Sequence, residues 1–62
     1  MNTYMFKFER NGMSKESPII RGKSLAAAAE QVGSEIEEEW VVTSVTENGT
    51  SIPEEQWPES LK

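Results

Sequence analysis

Residues 3–9, TYMFKFE, decide the fold, because aromatic side chains alternate with polar or flexible ones along this stretch. The aromatic residues are Tyr4, Phe6 and Phe8. Such alternation is typical of a β-strand that buries one face and exposes the other. In a chain with few apolar residues, these rings are expected to form the core on which the rest of the protein folds.

A hairpin is predicted to follow this strand. The dipeptide Asn11-Gly12 comes directly after it, and both residue types tolerate the positive φ angles of a tight turn. Pro18 lies in the return segment, where its missing N–H favours a strand start or a sheet edge. We therefore expect a β-hairpin over residues 3–21.

A single helix is predicted next. Ser24 has a hydroxyl that can cap a helix start, and after it the apolar residues recur three or four positions apart. This apolar stripe consists of Leu25, Ala29, Val32, Ile36 and Trp40. Gly33 leaves the phase of the stripe unchanged, although it could also end the helix. The continuous phase favours one helix that ends at about Glu38.

The second half of the chain predicts another strand pair. Residues 41–46 are rich in β-branched side chains, and Asn48-Gly49 is a second turn signal. Residues 1–53 are therefore predicted to form one α+β domain, ββαββ, with one helix packed on one face of a small, mainly antiparallel sheet. Residues 54–62 are acidic and lack periodicity, so we expect a largely irregular C-terminal tail.

The composition argues against an enzyme. The chain has 62 residues and contains no Cys, no His and no Asp, so the usual catalytic triads, disulfides and zinc ligands are absent. A domain of this size also has little room for a ligand cleft. We therefore predict no catalytic, cofactor-binding or metal-binding residues, no cofactor and no small-molecule substrate.

The hydropathy of the chain predicts its location. The N-terminus lacks the basic and apolar regions of a signal peptide. No apolar run approaches the ~20 residues of a membrane span. These features predict a cytoplasmic protein without membrane contact.

Charge is unevenly distributed along the chain. The formal net charge is −5, but residues 1–23 carry five basic and two acidic groups, whereas residues 24–62 carry one basic and nine acidic groups. An acidic protein is a poor ligand for nucleic acid. A nucleic-acid-related role is nevertheless the alternative function, either through single-strand binding by the aromatic hairpin or through mimicry of nucleic acid by the acidic half.

Protein–protein interaction is the function that the sequence favours. Residues 40–45 are apolar at neighbouring positions, so one helix cannot cover both sides of this strand. Val41, Val42 and Trp57 are the candidate interaction residues, with Met5 as a further apolar residue on the second sheet face. Trp57 could instead fold back as a lid on the core. The sequence thus predicts a small non-catalytic binding or accessory protein whose partner is another protein or, in a homodimer, itself.

Overall fold

The computed structural model describes all residues from Met1 to Lys62 and contains five strands and two short helices. The elements are β1 (Asn2–Arg10), β2 (Met13–Glu16), β3 (Ile20–Gly22), α1 (Leu25–Glu30), α2 (Gly33–Glu37), β4 (Val41–Glu47) and β5 (Thr50–Ser51). The sheet order is β2-β1-β4-β5, β3 also pairs with β1, and all pairings are antiparallel. The predicted α+β class with a mainly antiparallel sheet is confirmed. The ββαββ order with a single helix is not confirmed, because both the return strand and the helix are divided.

The return strand of the first hairpin is divided by a bulge. The pairing Lys7↔Glu16 changes to Tyr4↔Ile20, so the return segment contains one more residue than β1 does. Ser17 fills the gap, because its backbone N–H donates to the Phe6 carbonyl at 2.8 Å and its hydroxyl accepts from the Phe6 N–H at 3.0 Å. The two strands β2 and β3 therefore lie along the same side of β1.

A second bulge lies in β4. Its pairing with β1 shifts by one residue between Lys7 and Phe8, and Thr43 is the extra residue. The Thr43 hydroxyl donates to the Lys7 carbonyl at 3.3 Å. Residues three apart in a regular strand point to opposite faces. Because of the bulge, Val42 and Val45 are both buried in the same core.

The predicted single helix is divided before Gly33. Across the junction, the Gln31 N–H donates to Ala28 and the Val32 N–H donates to Ala29, three positions back instead of four. Glycine costs a helix about 1 kcal/mol relative to alanine, and helices of this length depend on tertiary packing rather than on propensity. Ser24 caps α1 as predicted, since its hydroxyl accepts from the Ala27 N–H at 3.2 Å. Neither helix has the length and apolar character needed to cross a membrane.

The core lies between the sheet and the helices, and it contains the predicted residues. Tyr4, Phe6 and Phe8 are at most 1% exposed, and Val32 is 3% exposed. Leu25 and Ile36 are partly buried and pack against this cluster. The predicted core between β1 and the apolar stripe is therefore confirmed.

The C-terminal segment contributes to the same core. It forms two 3-10 helical turns, Glu54–Gln56 and Glu59–Leu61, after the short strand β5. Trp57 and Leu61 are buried in the core cluster, and the Trp57 indole N–H donates to the Ile52 carbonyl at 3.0 Å. Leu61 lies in the same depression as Ile36 and Val42, so the segment completes the layer that the helices begin.

Candidate functional site

One side of the sheet carries no helix or tail, and we call this side the open face. It forms because the alternation that directs the aromatic residues of β1 inward directs the intervening residues outward. From β1 it contains Thr3, Met5, Lys7 and Glu9, and the register adds Ser14, Glu16, Arg21, Val41, Ser44 and Thr46. The open face is thus a mixture of hydroxyl, apolar and charged side chains.

The apolar residues of the open face lie near its two ends. Ile19, which lies between β2 and β3, belongs to this face as well: it is 65% exposed and lines a shallow depression with Met5 and Thr46. Val41 is 63% exposed and pairs with Glu9 near the other end of β1. Met5 and Glu9 are four positions apart along β1, which is a distance of about 13 Å. A binding partner could therefore cover apolar surface at both ends.

The charges of the open face balance. Lys7 and Glu16 are paired across β1 and β2 with Nζ and Oε1 3.8 Å apart, and both side chains remain more than half exposed. Glu9 lies at the Val41 end, and Arg21 is paired with Thr3 at the Ile19 end. Two basic and two acidic groups therefore make this face neutral in a chain of net charge −5.

A second cluster surrounds Trp40 on the helical side of the sheet. The Arg10 guanidinium and the Lys15 ammonium each lie 4.4 Å from the centre of a Trp40 ring, within the range of cation–π attraction. Arg10 Nη1 also donates to the Glu38 carbonyl at 2.8 Å, and Lys15 Nζ lies 3.6 Å from Glu35 Oε1. Each cation is therefore already engaged, and the cluster attaches the first hairpin to the end of α2.

Two local features of α2 lie beside the same cluster. A hydrogen bond from the Ser34 hydroxyl lowers the pKa of Glu35, and the nearby Lys15 charge lowers it further. Glu39 has a φ angle of +70° and ends the helix, as the Trp40 N–H donates to the Glu35 carbonyl and the Glu39 N–H to the Ile36 carbonyl. This is a Schellman cap, in which glycine is the usual residue at the position of Glu39.

A polar network closes the opposite end of the sheet. The Tyr4 hydroxyl, in a residue 1% exposed, donates to Glu47 Oε2 at 2.7 Å and accepts from Asn2 Nδ2 at 3.3 Å. Burial raises the pKa of Tyr4, and the hydrogen bond to Glu47 raises it further because it stabilises the protonated phenol. The hydroxyl is enclosed by the protein, which makes it a structural group.

The Tyr4 network predicts a loss of stability in alkaline solution. Because the pKa of Tyr4 is higher in the folded chain, the stabilisation is present below about pH 10, the unfolded value, and is lost as the pH rises through the folded value. We expect Tyr4→Phe to lower the free energy of unfolding by about 1–3 kcal/mol at neutral pH. The gap between the two proteins should narrow in urea titrations above about pH 10. A constant gap across this range would contradict the assignment.

The three predicted interaction residues differ in their positions. Val41 lies on the open face and is 63% exposed. Val42 is 6% exposed and Trp57 is 9% exposed, and both belong to the core cluster. Sequence reasoning missed Ile19, whose position beside Pro18 in the divided return strand obscures the strand alternation.

The chain matches no protein-family model, no curated protein and no solved structure. The open face is therefore the feature of the chain that bears on its function.

Proposed function

We propose that this chain is a small non-catalytic binding protein that acts through protein–protein contact at the open face. The observation that carries the proposal is the uncovered side of the sheet, where Ile19 and Val41 are exposed to solvent. The helices and the C-terminal segment cover only one side of the sheet, so the exposed apolar side chains on the other side have no covering layer in the monomer. A protein partner would supply the other.

A second copy of this chain is the partner that the charges of the open face fit. Elsewhere on the surface the acidic excess opposes association between copies, whereas the neutral open face does not. Homodimers commonly have a twofold axis, so that the same surface patch is used by both copies. The open face can therefore meet itself without a net electrostatic penalty.

An antiparallel stacking of two open faces brings complementary groups together. A twofold axis across β1 places the Val41 end of one copy against the Ile19 end of the other, so that apolar residues meet. The same rotation brings Glu9 of one copy to the end of the face where Arg21 of the second copy lies beside Thr3. Both the apolar and the charged residues of this face then have partners.

Dimerisation would also stabilise the folded state of this small domain. A domain of this length buries a smaller share of its surface than larger domains do, and without disulfides or metal it has little stability in reserve. Association that occurs only in the folded state stabilises that state by mass action. Burial of the open face therefore adds to a core composed of only 12 buried residues.

The association is tested by sedimentation equilibrium over a concentration series into the high micromolar range. We expect the wild-type chain to dimerise, and Val41→Glu to raise the dissociation constant by about tenfold or more because it places a charge in an apolar contact. Met13→Glu is the matched control, since Met13 is 55% exposed but pairs with Arg10 on the helical side. A wild-type chain that stays monomeric throughout would overturn the proposal.

Charge reversal tests the orientation of the two copies. Glu9→Arg and Arg21→Glu should each weaken the dimer, because each brings like charges to the same end of the stacked faces. The double variant restores opposite charges in the antiparallel arrangement and should recover the wild-type dissociation constant. If the double variant is as weak as the two singles combined, the stacking is not antiparallel.

A further inference from the structure

The chain contains two Asn-Gly turns with nearly the same backbone conformation. Asn11 and Gly12 have φ angles of +52° and +79°, and Asn48 and Gly49 have φ angles of +51° and +84°. Each turn joins two adjacent antiparallel strands. The two asparagines are therefore matched in backbone conformation, but they differ in their side-chain contacts.

Asn-Gly sequences can undergo a spontaneous reaction that needs only water. The backbone nitrogen of glycine attacks the side-chain carbonyl carbon of asparagine and forms a C–N bond. The bond between that carbon and the side-chain amide nitrogen breaks, and the glycine nitrogen gives up its proton. The amide nitrogen departs as ammonia, and a five-membered succinimide ring remains. Water then adds to either ring carbonyl and yields aspartate or isoaspartate. Glycine favours this attack because it has no Cβ to obstruct the approach.

The side chain of Asn48 is held away from this reaction. Its Oδ1 accepts from the Thr3 N–H at 3.0 Å and from the Thr3 hydroxyl at 3.3 Å. Its Nδ2 donates to Asn2 Oδ1 at 3.1 Å, and its backbone N–H donates to the Thr3 carbonyl at 2.8 Å. The carbonyl carbon can reach Gly49 only after these hydrogen bonds to β1 break.

The side chain of Asn11 has no such restraint. Asn11 is exposed at the tip of the first hairpin, and its side chain makes no hydrogen bond within the protein. Its rotation toward Gly12 therefore breaks no contact. Only the turn backbone has to adjust.

We infer that Asn11 is a site of spontaneous deamidation and that Asn48 is protected by its hydrogen bonds to β1. The product at position 11 carries one additional negative charge beside Arg10. When the product is isoaspartate, the backbone also gains a methylene group, which the tight turn does not accommodate. The hairpin tip that contributes Arg10 to the Trp40 cluster is thus chemically labile, whereas the turn at the other end of the sheet is not.

The inference is tested by ageing the intact protein in neutral buffer and mapping the products by mass spectrometry. A glutamate-specific protease releases both sites in fragments of equal length, residues 10–16 and residues 48–54. We expect the fragment containing Asn11 to gain the deamidation mass shift at least about tenfold faster, a ratio that corresponds to about 1.4 kcal/mol. Equal rates in the folded protein, or faster reaction at Asn48, would overturn the inference.

Two controls separate protection by the hydrogen bonds from local sequence effects. In the urea-unfolded chain both asparagines precede glycine and neither is held by hydrogen bonds of the folded state. The two deamidation rates should therefore converge. In the folded variant Asn2→Ala with Thr3→Val, Asn48 loses two of its side-chain partners and its rate should rise while that of Asn11 stays unchanged. If both rates rise together, the variant is unfolding globally, and Thr3→Val alone then provides the comparison. A rate at Asn48 that stays unchanged in a folded variant would contradict protection by the two hydrogen bonds that the variant removes.

Discussion

Phe6→Ala is expected to lower the free energy of unfolding by about 3–5 kcal/mol, which is most or all of the stability of a domain of this size. Phe6 is completely buried, and its ring lies 6.4 Å from that of Phe8. Its backbone is also bonded on the β3 side through Ser17. Truncation therefore leaves a cavity at the centre of the sheet, where β1 is fixed on both sides and cannot move to fill it.

Thermal unfolding followed by circular dichroism measures this effect. The matched control is Met13→Ala, since Met13 is 55% exposed on the edge strand β2 and its truncation should change stability by less than about 0.5 kcal/mol. If Phe6→Ala and Met13→Ala unfold at the same temperature, the core is not centred on β1.

Trp57→Ala is expected to be nearly as damaging, at about 3–5 kcal/mol, although the residue lies close to the C-terminus. The indole is buried in the core, and its N–H donates to the Ile52 carbonyl. Trp57→Phe retains an aromatic ring but loses that donor, so it should cost about 1–3 kcal/mol. A graded series, with alanine worse than phenylalanine, is the signature of an intramolecular lid.

Urea denaturation followed by far-ultraviolet circular dichroism distinguishes a lid from a binding residue. This signal is preferable to fluorescence because the substitution itself removes one of the two tryptophans. Were Trp57 needed only for a partner, both variants would unfold at the wild-type midpoint and lose only the association.

The parts of the fold that the sequence predicts are those set by local periodicity. Alternation along β1 identifies the three core aromatics, and the helical phase identifies Val32 and Ile36 even though the helix itself is divided. A residue keeps its position on the stripe because the chain turns in the same direction through the junction. Burial was therefore predictable where the exact helix boundaries were not.

The two bulges could not be predicted in this way, because each depends on a partner strand. Ser17 and Thr43 are ordinary strand residues in the sequence. Their hydroxyls form hydrogen bonds with backbone groups of β1 only in the observed register. Without the bulge at Thr43, Val42 and Val45 are assigned to opposite faces. The prediction of the open face was incomplete for the same reason. Alternation identified Met5 and Val41, but the position of Ile19 on this face depends on the division of the return strand.

The division of the return strand also bears on aggregation. An uninterrupted sheet edge presents free backbone groups that can recruit further strands. Here one outer edge is split into pieces of four and three residues with Pro18 between them. On the other side β5 has two residues, and the rest of that edge is Val41–Ser44 of β4, which the bulge at Thr43 interrupts. A fibril-forming segment needs about six or seven residues in a flat run without proline. The bulge at Ser17 thus keeps this sheet edge short. The apolar residues of the open face can be exposed to solvent because the strand edges beside them are too short to recruit further strands.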